Sequence, residues 1–72
     1  MAKLKVTDFK KVGEGIRLER LKQKLSRESL GAKIGISGAT IANIENNSEK
    51  ALYKNIVAIV EALNINLEDI SY

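Results

Sequence analysis

Ser26, Ser29, Ser37, Ser48 and Ser71 are the serine hydroxyls of this 72-residue chain. A hydroxyl becomes a nucleophile when a neighbouring base takes its proton, and the usual base is histidine. The chain has no histidine and no cysteine. Thiolate chemistry, disulfides and the Cys/His spacings of zinc sites are therefore absent. Its lysines and carboxylates are scattered along amphipathic segments, with no cluster to perturb them. These residues predict no enzyme, no metal, no cofactor and no small-molecule substrate. What remains is the chemistry of binding: cations for an anionic partner, and hydroxyls and amides for hydrogen bonds.

The cations are unevenly placed. The net charge is +3, which permits an anionic partner without demanding one. Residues 1–27 hold nine basic groups against three acids, a net of +6. Residues 28–72 hold three lysines against six acids, a net of −3. A membrane surface is a poor partner for the basic third, because Glu14 and Glu19 interrupt its basic face. No apolar run approaches the roughly 18–20 residues of a membrane span. Met1-Ala2-Lys3-Leu4-Lys5 lacks the apolar region of a signal peptide. A cytoplasmic protein without a membrane partner is the expectation.

The elements that must position these groups are helical. Residues 1–6 read as an N-terminal arm, and residues 7–72 as a single domain. Thr7 or Asp8 can cap a first helix in which Phe9, Val12 and Ile16 recur with helical spacing. Leu18, Leu21 and Leu25 continue its apolar positions. Gly13 and Gly15 each cost a helix about 1 kcal/mol relative to Ala, so an irregular early stretch is expected. Ser26 caps a second helix that ends at Gly35, where a left-handed residue is needed. Ser37 caps a third over about 38–45, closed by Asn46-Asn47. A fourth covers about 50–63, with Leu52, Tyr53, Ile56, Val57, Ile59, Val60 and Leu63 as a broad apolar stripe. Asn66 starts a terminal turn carrying Leu67 and Ile70. The expected fold is all-α, a compact bundle of about five short helices.

Residues 26–46 carry the most information. They read as short helix, glycine turn, short helix. A helix-turn-helix needs a small residue where the helices cross, here Gly31, and a turn glycine, here Gly35. It needs apolar residues that bind the pair to the core, here Leu30, Ile34, Ile36, Ile41 and Ile44.

From Val12 to Ile70 the chain resembles the Cro/repressor-type, or Xre-like, helix-turn-helix family. Ile16-Arg17-Leu18-Glu19-Arg20 is similar to that family's first-helix motif, and Leu25-Ser26 to its lead into the second. Leu30-Gly31-Ala32-Lys33-Ile34-Gly35-Ile36-Ser37 follows the Leu-Ala-x-x-Leu-Gly-Val-Ser pattern. Ile41-Ala42-Asn43-Ile44-Glu45-Asn46 follows the recognition helix and its exit. Ala62-Leu63-Asn64-Ile65-Asn66-Leu67-Glu68-Asp69-Ile70 follows the C-terminal block. The resemblance implies a lambda-repressor-like DNA-binding domain. It also implies an ion pair between Arg20 and Glu45 that fixes the first helix against the third.

The same resemblance sends the third helix into the major groove of duplex DNA. Its base-contact candidates are Ser37, Gly38, Ala39, Thr40 and Asn43. Gly38 and Ala39 stand where members often carry Gln or Arg, and neither has a hydrogen-bonding side chain. Each good bidentate base contact is worth about 1–3 kcal/mol, so sequence discrimination is expected to be low. Ser26, Arg27 and Asn46 are the phosphate-contact candidates. Residues 35–50 carry Glu45 and Glu49 against Lys50, a net of −1. Few phosphates can be neutralised there, so DNA binding is expected to be weak to moderate.

Two functions fit. One is a Cro-like transcription regulator of a phage or mobile-element switch, binding operator DNA through residues 38–45. The other is an antirepressor, or modulator of repression, that binds a repressor's DNA-binding domain. Gly38, Ala39 and Ala42 would give it a smooth surface for close packing. The apolar end, Ile65, Leu67, Ile70 and Tyr72, either meets a partner subunit in a homodimer or heterodimer or closes the core.

Overall fold

The computed structural model describes residues 9–70. The arm at 1–6, the caps Thr7 and Asp8, Ser71 and the interface candidate Tyr72 lie outside the described residues. Five α-helices follow in order: α1 Phe9–Lys22, α2 Arg27–Ile34, α3 Gly38–Asn46, α4 Tyr53–Leu63 and α5 Leu67–Ile70. A 3-10 turn, Ser48–Lys50, stands between α3 and α4. No strand occurs among the described residues.

Three helices end by one device. Lys24, Gly35 and Asn64 take left-handed φ values of 61°, 81° and 59°. The residue after each is apolar and returns its N–H to the helix: Leu25 to Arg20 O, Ile36 to Gly31 O and Ile65 to Val60 O. These are Schellman closures, in which the apolar residue folds back onto the helix it ends. Leu25, Ile36 and Ile65 accordingly pack against the core. Gly35 adopts its φ without a Cβ penalty. Lys24 does so at a cost of about 1–2 kcal/mol, and nothing in its side chain advertises the position.

The core is Val12, Ile16, Leu30, Ile41, Ile44, Ile56, Ile59 and Leu63. Within α1 the inward stripe runs Val12, Ile16, Arg20, one residue every helical turn. Leu18 and Leu21, expected among the apolar positions, fall on the opposite face and are 55% and 47% exposed. The register that buries Val12 and Ile16 leaves no room for both leucines on the same side.

Two further expectations are corrected. Helix α1 is continuous through Gly13 and Gly15. Gly13 serves a close approach: a Cβ there would collide with the carbonyl oxygen of Glu45, so α3 can lie directly on α1. Helix α4 begins at Tyr53 rather than near residue 50. Ala51 is extended, with φ −77° and ψ 154°, and separates the 3-10 turn from the helix. Leu52 and Tyr53 consequently miss the buried stripe and are 61% and 59% exposed.

Ser48 explains why the 3-10 turn is there. Its side chain is buried. Its Oγ accepts the Gly13 N–H at 2.9 Å and donates to the Phe9 carbonyl. The hydroxyl thus pins the segment after α3 to the first turns of α1. At the other end of α1, Gln23 Nε2 donates to Leu63 O at 2.7 Å, joining α1 to α4.

Candidate nucleic-acid interface

Helices α2 and α3 are capped alike. Ser26 Oγ accepts from Ser29 N at 2.9 Å, and Ser37 Oγ accepts from Thr40 N at 3.1 Å. Each satisfies a donor the helix start would otherwise leave open. Gly35 turns the chain between them. Gly31 lies under the turn, where a Cβ would strike the carbonyl oxygen of Ile36.

Helix α3 turns Ile41, Ile44 and Glu45 inward. Ser37, Ala39, Asn43 and Asn46 are exposed, while Gly38, Thr40 and Ala42 are half-buried. Ala39, Asn43 and Asn46 follow i, i+4, i+7 spacing and form one outward stripe. Ser37 and Thr40 hydroxyls bond each other at 2.9 Å, which reduces what they offer a base. Of the base-contact candidates, Asn43 alone combines exposure with a bidentate side chain.

The phosphate-contact candidates divide. Ser26 is exposed, yet its hydroxyl is committed to capping and to Ser29 Oγ at 2.9 Å. Asn46 is exposed at the end of α3. Arg27 donates from Nε to Glu45 Oε1 at 3.0 Å. Its side chain is 39% exposed, so the guanidinium is divided between Glu45 and the surface.

Glu45 gathers both arginines. Arg20 donates from Nε to Glu45 Oε2 at 2.7 Å and from Nη1 to Leu25 O at 2.8 Å. The Arg20 and Glu45 side chains are 6% and 1% exposed. Charges this dry persist when geometry and extra hydrogen bonds offset the lost hydration. Here the carboxylate satisfies two guanidinium groups, and the Leu25 carbonyl takes another donor. The result locks the end of α3 to α1 and to the start of α2.

Glu28 adds a feature not evident from the sequence. A Cβ on Gly38 would stand 2.9 Å from Glu28 Oε2, so this carboxylate lies over the start of α3. It sits in the first turn of α2 as well. Its charge suits both helix dipoles and opposes an approaching phosphate. A shallow cleft of about 230 Å³ opens between α3 and α4, with Thr40, Asn43, Ile44, Ala51, Leu52 and Asn55 among its walls. Leu52 stands at the N-cap of α4 without a side-chain cap, an apolar lip beside the outward stripe.

Ile65, Leu67 and Ile70 are half-buried and pack against the core. Among the described residues no group of His, Cys, Asp and Glu side chains could hold a metal ion. No described helix is long and apolar enough to cross a membrane. The chain matches the model of the helix-turn-helix family over residues 16–70. No curated protein and no solved structure matches it.

Proposed function

This chain belongs to the Cro/repressor-type helix-turn-helix family, and we propose that it is a small regulator of a phage or mobile-element genetic switch. The family is one of DNA-binding transcription regulators. In this reading α3 enters the major groove of operator DNA, with Asn43 reading a base edge and Ala39 meeting a thymine methyl. Asn46 and the outer end of Arg27 touch phosphates. The observation that carries the reading is the outward stripe Ala39, Asn43 and Asn46 on a helix anchored from behind by Glu45.

The charge around the stripe sets the strength. Arg27 bonds Glu45 of the stripe's own helix and Lys50 lines the cleft beside Asn43, and Glu28 opposes them. Neutralising about two phosphates lowers affinity only about tenfold between about 50 mM and about 200 mM salt. Fluorescence anisotropy on duplexes tiled across the promoter of the chain's own gene tests this. A saturable complex with that shallow salt dependence, lost in Asn43→Ala, is expected. No complex on any tile, with or without low salt, would remove the reading.

A second reading is favoured by Leu52. In this one the chain acts as an antirepressor, masking the DNA-binding domain of a partner repressor. An exposed leucine at the lip of an apolar cleft, beside the small residues Gly38, Ala39 and Ala42, suits protein contact better than phosphate contact. Adding a purified repressor domain from the same switch separates the two. Release of that repressor from its operator, abolished by Leu52→Ser, supports masking. Unchanged repressor occupancy rejects it.

A further inference from the structure

The outer face of α1 has no role in either reading. On the helical wheel Glu14, Leu18 and Leu21 run along its centre. Arg17 lies along one edge with Lys10, and Lys11 and Lys22 lie along the other. Leu18 and Leu21 are the exposed leucines described above, three residues apart on one helix. Beside Leu18 a groove of about 380 Å³ runs between α1 and α5, with Gly15 as its floor and Ile70 as its wall. Lys11, Glu14 and Asp69 rim it. The groove lies across α1 from α3, because Gly13 faces Glu45 whereas Gly15 faces Ile70.

Single exposed leucines are ordinary on protein surfaces. Two on one face, beside a groove of mixed lining whose apolar part is Gly15, Leu18 and Ile70, and railed by cations on both edges, form a surface with a definite complement. We infer that the outer face of α1 docks an acidic amphipathic helix of a partner protein. Such a helix sets apolar residues at i, i+3, i+4 and i+7 onto Leu18, Leu21 and the Gly15–Ile70 groove. Its flanking carboxylates meet Arg17 on one edge and Lys11 and Lys22 on the other.

The charges select this occupant over two others. A second copy docking by the same face would set basic edge against basic edge, and the acids Glu14, Glu19 and Asp69 do not outnumber the cations Lys10, Lys11, Arg17 and Lys22. A DNA backbone would meet the cations but leave two leucines pressed against phosphates, with no apolar partner. Lys22 is held by Glu19 at 3.4 Å in an exposed pair, a contact weak enough for a competing carboxylate to replace. The inference is independent of the function proposed for α3.

The test is an amide-resolved NMR titration of the full chain with a synthetic acidic helical peptide, leucines along one face and glutamates along both flanks. Saturable shifts at Gly15, Leu18, Leu21 and Ile70 are expected. A Leu18→Ser/Leu21→Ser double variant, altered only at exposed sites, should keep its circular dichroism spectrum and bind the peptide at least tenfold more weakly. Lys11→Glu/Lys22→Glu should weaken binding about tenfold, and the loss should be reproduced by added salt. The same peptide with lysines replacing its glutamates should not bind. Equal binding of the lysine peptide, or shifts confined to the cleft between α3 and α4, overturns the inference. Shifts of the same α1 amides with promoter DNA assign the face to nucleic acid instead. Shifts that grow with protein concentration alone assign it to a second copy.

Discussion

Arg27 and Glu45 are bonded, guanidinium Nε to carboxylate Oε1 at 3.0 Å, across the angle between the start of α2 and the end of α3. The same carboxylate holds Arg20 of α1. One buried acid therefore sets the relative placement of the three helices that present the outward stripe. Its two partners are unequal. Arg20 is buried with it, whereas Arg27 reaches the surface.

That inequality gives an ordered pair of stabilities. Glu45→Ala strands the Arg20 charge in the interior and should cost about 3–5 kcal/mol. Arg27→Ala removes a partly solvated contact and should cost no more than about 1 kcal/mol. Urea unfolding of both variants checks the order, and equal losses would mean that the lock rests on Arg27 and not on Arg20.

Ser48 provides the second prediction. Ser48→Ala removes the buried hydroxyl that joins the Gly13 N–H and the Phe9 carbonyl to the segment after α3, a loss of about 1 kcal/mol. Gly13→Ala drives a methyl into the Glu45 carbonyl and should cost about as much or more. Both sites touch the same crossing of α1 and α3, so the double variant should lose less than the sum. A thermal unfolding cycle measures that coupling directly.

These two contacts also mark where the sequence stops being informative. Helix ends are local events, and Gly35, Asn64 and the apolar residues after them announce theirs within a few positions. Ser26 and Ser37 are legible as caps for the same reason. Arg20 and Glu45 meet at the positions the family motifs imply. Ser48 is different: its partner Gly13 is 35 residues away, and no local pattern links a loop serine to a glycine inside a helix. Gly13 reads as a weak helix residue until α3 is seen lying on it. Glu28 likewise reads as a favourable first-turn acid of α2, while its place over α3 depends on the turn at Gly35. Leu18, Leu21, Leu52 and Tyr53 lie off the buried faces, because apolar type alone does not fix which face a helix turns inward.

Glu28 should restrain DNA binding. Glu28→Gln removes a negative charge over the start of α3 and should tighten promoter binding about two- to fivefold at low salt. The gain should fade as salt shortens the reach of the charge. Stability should fall by about 0.3–1 kcal/mol, because the helix starts lose a favourable anion. Anisotropy titrations at two salt concentrations, paired with thermal melts, check both parts.

Leu52 separates stability from binding. Leu52→Ser gives α4 the side-chain cap it lacks and should raise stability by about 0.5–2 kcal/mol. The same change removes the apolar lip of the cleft. If the chain acts on a repressor, the more stable variant should be the less active one, a trade-off common where a surface is kept for binding. Differential scanning calorimetry and a repressor-release assay on one preparation test the two effects together.

The claim that α3 is the DNA-reading helix is tested most directly by an amide-resolved NMR titration of the full chain with duplex DNA from its own promoter. Saturable shifts at residues 37–47, centred on Asn43 and absent in Asn43→Ala, are predicted. Saturation that leaves α3 unmoved, or shifts confined to the outer face of α1, would contradict it.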